Sequence, residues 1–116
     1  MRKLGTSFFL FSRSTDLIYA LMAKFTIRVE LHDASPDAYK SLHKSMEAEG
    51  FAREIRSGEG KVYHLPTAEY IYDGEANLKG VLDRAKRAAS ALPLSFEILV
   101  TESKGRIWYG LSTGSA

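Results

Sequence analysis

The chain has no cysteine. That excludes a disulfide scaffold, a thiolate metal site and a thiol nucleophile, and it suits a reducing compartment such as the cytoplasm. It has only three prolines, so each one marks a specific event in the backbone. It lacks any apolar run near the roughly 18–20 residues that span a bilayer, and no membrane partner is expected. Glycine-rich phosphate loops of the G-x-x-x-x-G-K-[ST] and G-x-G-x-x-G types are missing, as is the G-x-S-x-G elbow, so nucleotide hydrolysis and serine hydrolysis have no motif behind them. No internal repeat or low-complexity segment is present.

A strong charge of one sign is missing as well. The formal net charge is +2. Residues 1–21 account for all of it, with Arg2, Lys3 and Arg13 against Asp16; the rest balances 13 basic with 13 acidic residues. A neutral body argues against broad binding to a phosphate backbone, which needs several uncompensated cations. The leading segment resembles a signal peptide at first sight, but its apolar centre, "FFLF", is cut short by Arg13 and Asp16, whereas a secretory segment needs about 7–15 uninterrupted residues. Met22 opens "MAKFTIRVEL", which runs straight into a strand. Residues 1–21 are therefore expected to be an extension outside the domain, 22–112 the domain itself, and 113–116 a tail.

At 116 residues with 45% hydrophobic composition, the chain suits one small domain with a single core. "KFTIRVELH", residues 24–32, alternates strictly, with Phe25, Ile27, Val29 and Leu31 on one face and Thr26, Arg28, Glu30 and His32 on the other, as in a half-buried strand. Ser35-Pro36 is a helix start, and Gly50 is its stop. Residues 51–56 and 61–72 then form a hairpin across "SGEG", with Pro66 placing a bulge or an edge within the second strand. A second helix spans 76–91, with a wide stripe from Leu78 to Leu92. Residues 94–102 make another strand, and "RIWYGLS" from Arg106 a short final one.

The order is β-α-β-β-α-β plus a short extra C-terminal strand. Each helix has one apolar stripe, so both must cover one face of one antiparallel sheet. This is an α+β chain with the ferredoxin-like split βαβ order. The other sheet face, carrying Arg28, Glu30, His32, Glu97, Thr101 and several tyrosines, is left for a homodimer interface, for nucleic acid or for water.

Three candidate chemistries arise from these residues. Asp33 closes the first strand and could hold Mg²⁺; a turn-forming aspartate near a helix start is the plainer alternative. His64, beside the proline bulge, could act as a general base or simply bond to a neighbour. With His64 as base, Arg56 is the cation that would meet the negative charge of a phosphorane-like transition state. His32, His43 and His64 show no zinc-ligand spacing. For RNA, the bases would stack on Tyr63, Tyr70 and Trp108, with Tyr72 and Tyr109 in support, and Arg28, Arg53, Lys104 and Arg106 would meet phosphates. The same aromatic and basic residues would equally serve a protein partner.

With "FTIRVELHDASPDAYKSLHKSMEAEGF", then "HLPTAEYIY", the second helix and "LSFEILVTES", residues 24–111 resemble the GhoS-type endoribonuclease antitoxins of type V toxin–antitoxin systems. The resemblance covers about three-quarters of the chain. It implies a ferredoxin-like fold similar to the small dimeric nucleases of CRISPR adaptation, a cytoplasmic homodimer, and RNA cleavage. It puts Asp33 where those nucleases carry an aspartate after the first strand, although His32-Asp33 stands in place of their Tyr-Asp. It also implies that residues 106–111 pair with the sheet edge of the dimer mate. The alternative expectation is a non-enzymatic dimeric module that docks a protein through its open face and C-terminal strand.

Overall fold

The computed structural model describes residues 22–114. The expected extension at 1–21 lies outside the described residues. The elements are β1 (Ala23–Leu31), α1 (Pro36–Ala48), β2 (Glu54–Arg56), β3 (Val62–His64), β4 (Glu69–Gly74), α2 (Leu78–Ala89) and β5 (Phe96–Ser103). The chain is α+β: β1 lies between β4 and β5 in a three-stranded antiparallel sheet, and β2 and β3 form a separate two-stranded hairpin.

The alternation of β1 sets the layers. Phe25, Ile27, Val29 and Leu31 are buried in one cluster with Leu42 and Met46 of α1 and Val81, Ala85, Ala88 and Ala89 of α2. Both helices therefore cover the same sheet face. The run of alanines lets α2 approach the sheet closely, and each large aliphatic side chain so buried contributes about 1.5–3 kcal/mol. Leu78, expected within the stripe of α2, is 47% exposed because it occupies the first helical turn beyond the core's reach.

Both helices are capped. The Ser35 hydroxyl accepts from Ala38 N–H at 3.2 Å, with Pro36 in the first turn. The Asn77 side chain accepts from Gly80 N–H at 2.8 Å. Such a cap commonly contributes about 1 kcal/mol. Gly50 ends the first helical segment at φ 93°, and a Cβ there would meet the Arg84 guanidinium at 2.8 Å. That guanidinium caps the Glu49 carbonyl and lies 4.4 Å from the Tyr72 ring centroid, tying α1 to α2.

The expected strand 61–72 is two strands. Between them, Glu69 N–H bonds to the Pro66 carbonyl at 2.9 Å, closing a turn. Arg53 holds that turn: one guanidinium nitrogen donates to the carbonyls of Leu65, Pro66 and Glu69 at 3.0, 2.7 and 3.0 Å. The detour changes the facing of the β4 side chains. Tyr70 and Tyr72 point into the helix layer, not onto the open face where the sequence pattern puts tyrosines. The hairpin rejoins the main sheet through one bridge, Ala52–Ile71.

The expected final strand is absent. Residues 104–112 form no ladder and instead cross the open face as a strap. Arg106 and Trp108 turn inward, while Ile107 and Tyr109 are 97% and 99% exposed. Arg106 fixes the strap to the sheet, donating to Asp73, to the Thr26 hydroxyl and to the Phe25 carbonyl at 2.9, 3.2 and 2.8 Å. Trp108 packs edge-on against Tyr63 with centroids 5.5 Å apart. The Ser112 carbonyl then accepts from His64 N–H at 2.9 Å, and Thr113 bridges Tyr63. The alternation of the segment is real, but its partner is this chain's own hairpin, reached only at the very end. No helix among the described residues is long and apolar enough to cross a membrane.

Candidate functional site

The three catalytic candidates do not meet at one point. Asp33 sits in a left-handed turn at φ 53° and is exposed, lining a hollow with Ser35, Lys44 and Leu94. Among the described residues, no three His, Asp or Glu side chains come together as metal ligands. The carboxylates that line the hollow are Asp33 and Asp37, with Lys44 among the same lining residues. The turn-forming reading of Asp33 is the one its backbone supports.

His64 is better placed. The short "SGEG" turn sets the hairpin register so that Glu54 stands directly opposite His64 and Arg56 opposite Val62. Side chains two apart on a strand share a face. By register, Glu54, Arg56 and His64 leave one side of the hairpin and Ile55 and Tyr63 the other, with Trp108 packed on Tyr63; the Arg56 side chain bonds the Gly60 carbonyl and lines a separate hollow with Ile55 and Trp108. The His64 side chain is 15% exposed, with Nδ1 3.9 Å from a Glu54 oxygen and Nε2 bonded to the Gly114 carbonyl. A carbonyl only accepts, so Nε2 carries the proton. Neutral His64 then presents its lone pair at Nδ1.

That side of the hairpin faces α1 across an open hollow of about 540 Å³, lined by His43, Glu47, Phe51, Arg53, Glu54 and His64. Among its lining residues, His43 is half-buried, and its Nδ1 lies 2.6 Å from the hydroxyl of the buried Tyr70. Burial, helped by the Arg53 charge, lowers the His43 pKa to about 4. Burial likewise pushes the Tyr70 hydroxyl up, against the opposing pull of Arg53. His43 is therefore neutral at physiological pH. Glu54, Glu47 and His43 were not among the expected site residues. The cross-strand match of Glu54 with His64 is the one that a register count through the turn reveals.

Most of the residues expected to bind RNA are committed elsewhere. Tyr70 is fully buried and offers no ring to a base. Arg53 clamps the proline turn, and Arg106 the strap. Arg28 pairs with Glu30 and Glu69 at 3.0 and 3.2 Å. Tyr63 and Trp108 pack on each other, with Lys61 5.7 Å from the Tyr63 centroid. Lys104 is exposed on the strap, and Arg56 is exposed while bonding the Gly60 carbonyl at 3.2 Å. On β5, the exposed side is Glu97, Leu99 and Thr101, with His32 bonded to Ser95 at 3.0 Å and 3.6 Å from Glu97.

No protein-family model matches the chain, and a search of curated proteins returns no match.

Proposed function

We propose that this chain is an RNA-cleaving protein of the antitoxin type, built on a ferredoxin-like scaffold and working without a protein-held metal from the β2–β3 hairpin. The observation that carries this is the cross-strand pair: His64 with its lone pair at Nδ1, Glu54 beside it at 3.9 Å, and Arg56 on the same face. Counting the Ala52–Ile71 bridge as continuity, the strands run β2, β4, β1, β5, which supports the ferredoxin-like reading. In the proposed reaction, His64 Nδ1 takes the proton of a ribose 2′-hydroxyl. The freed oxygen attacks the adjacent phosphorus, the P–O5′ bond breaks, and the imidazolium returns the proton to the departing 5′-oxygen. A 2′,3′-cyclic phosphate is left. Arg56 meets the charge that builds on the phosphoryl oxygens, and Glu54 stabilises the imidazolium.

The test is cleavage of a mixed pool of structured and single-stranded RNAs by the full chain, with magnesium and with EDTA. Cleavage survives EDTA, survives Asp33→Ala, and falls about 10²–10⁴-fold in His64→Gln, with the circular dichroism spectrum unchanged. Absence of cleavage from a folded sample overturns the proposal.

A second reading, a non-enzymatic module that docks a protein, is favoured by a different observation. Three of the expected phosphate ligands, Arg28, Arg53 and Arg106, are held by groups of this chain, whereas Leu99, Ile107 and Tyr109 are exposed. RNA binding that weakens steeply with salt speaks for the first reading. A stable complex with a protein and no RNA affinity speaks for the second.

A further inference from the structure

The family resemblance puts residues 106–111 on the edge of a dimer mate. The strap instead stays on its own sheet, and among the described residues the edge left bare is that of β5. Among the described residues, β5 pairs only with β1. Its eight residues, FEILVTES, contain no proline, no lysine and no bulge. These are the usual devices that keep an exposed edge from pairing.

The ladder fixes which backbone groups are free. His32 N–H bonds to the Ser95 carbonyl at 3.0 Å, so His32–Ser95 is a hydrogen-bonded pair, and the register continues through Glu30–Glu97, Arg28–Leu99 and Thr26–Thr101. Such pairs alternate along an antiparallel ladder. Phe96, Ile98, Val100 and Glu102 therefore direct their N–H and C=O groups away from β1, outward along the edge.

We propose that a second copy of this chain covers this edge, β5 against β5, antiparallel, with the two-fold axis through Leu99. In that register Ile98 faces Val100 of the mate and Phe96 faces Glu102, which are the residues whose outward groups are free. Leu99 meets Leu99 on the exposed sheet face, where each is 65% exposed in the single chain. Glu97 faces Thr101, so no like charges stand opposite each other. A two-fold axis through Glu97 would set carboxylate against carboxylate, which is destabilising, and an axis through Thr101 would pair only a short stretch. On the helix side, the partly buried Phe96, Ile98 and Val100 extend the apolar layer into the mate. The pairing stands independently of the cleavage reading, because the β2–β3 hairpin lies on the β4 side of β1 and β5 on the other.

The absence of native cysteine makes the test clean. Leu99→Cys is expected to form an intermolecular disulfide under mild oxidation, since a non-hydrogen-bonded pair sets the Cα atoms about 4.5 Å apart. Glu97→Cys and Thr101→Cys should each cross-link poorly alone and efficiently when mixed. Val100→Pro deletes an outward N–H without touching the β1 ladder. By sedimentation it is expected to halve the mass of the wild-type particle while keeping its circular dichroism spectrum. A wild type that stays monomeric at about 100 μM, where even a weak standard-size interface associates, overturns the proposal. Equal cross-linking of Leu99→Cys and an exposed Lys104→Cys control overturns it as well. RNA cleavage retained by Val100→Pro would separate this pairing from the activity.

Discussion

The two edges of this sheet are treated in opposite ways. On the hairpin side, the chain closes everything itself. Arg53 satisfies three carbonyls in the proline turn, the strap covers Ile55 and Tyr63, and residues 112–113 return to β3. On the other side, β5 shows a row of backbone groups without a partner among the described residues, beside an exposed leucine. A buried unpaired polar group costs about 1–3 kcal/mol, whereas an exposed one is solvated by water until something displaces it. The hairpin edge is therefore a place where the fold must be completed internally, and the β5 edge a place where it need not be.

The largest effect should come from removing the clamp on the closed edge. Arg53→Met removes the guanidinium from the carbonyls of Leu65, Pro66 and Glu69, leaving Pro66 only its bond from Glu69 N–H, and should cost about 2–4 kcal/mol. Urea unfolding measures the loss. Amide exchange should show β2 and β3 opening before β1; uniform loss across the sheet would mean that the clamp is not local.

Next is the pair beneath the hollow. His43 has a folded pKa of about 4 against about 6.5 unfolded. The unfolded chain thus binds the extra proton first as the pH falls. The stabilising contribution of neutral His43 is fully present above pH 6.5 and is lost progressively towards pH 4. On the order of 2 kcal/mol should disappear over that window. His43→Gln, which keeps a partner for the Tyr70 hydroxyl, should flatten this part of the stability–pH curve. A curve of unchanged slope would remove His43 from the acid response.

How much of this arrangement the sequence discloses depends on whether a residue's partner is local. The facing of β1, both helices and the stop of the first at Gly50 follow from periodicity and capping chemistry within a few residues. Pro66 likewise announces a break. It does not say how long the detour is, and that length decides that Tyr70 and Tyr72 face inward. Arg53, Arg106 and Arg28 look like phosphate ligands in a linear reading because nothing nearby in sequence neutralises them. Apart from Glu30, two residues from Arg28, their acceptors lie 12 to 81 residues away, and only the fold brings them together. Glu54 is the intermediate case: its place opposite His64 follows from counting through the turn, yet it carries no signal until the register is fixed.

The strap comes third. Trp108→Ala should cost about 1–2 kcal/mol through lost burial and the edge-on contact with Tyr63. Trp108 is the only tryptophan, so its emission reports the strap directly. Arg106→Lys should red-shift that emission at low denaturant, before global unfolding, because one ammonium cannot replace donors aimed at Asp73, Thr26 and Phe25 together.

The smallest effect belongs to the open edge. Leu99→Thr alters an exposed side chain on a strand whose buried neighbours are untouched, and threonine is at home in a strand. In dilute monomer the change should stay within about 0.5 kcal/mol. Ile27→Ala, one strand inward and fully buried, should instead cost about 2–5 kcal/mol. Repeating the Leu99→Thr measurement at rising protein concentration asks whether the edge is shared. Where two copies share it, the wild type gains stability with concentration and the variant gains less, because mass action rewards only the paired state. Parallel curves for the two proteins would mean that the β5 edge is bare because nothing pairs with it, and that Glu97 and Glu102 suffice to keep it so.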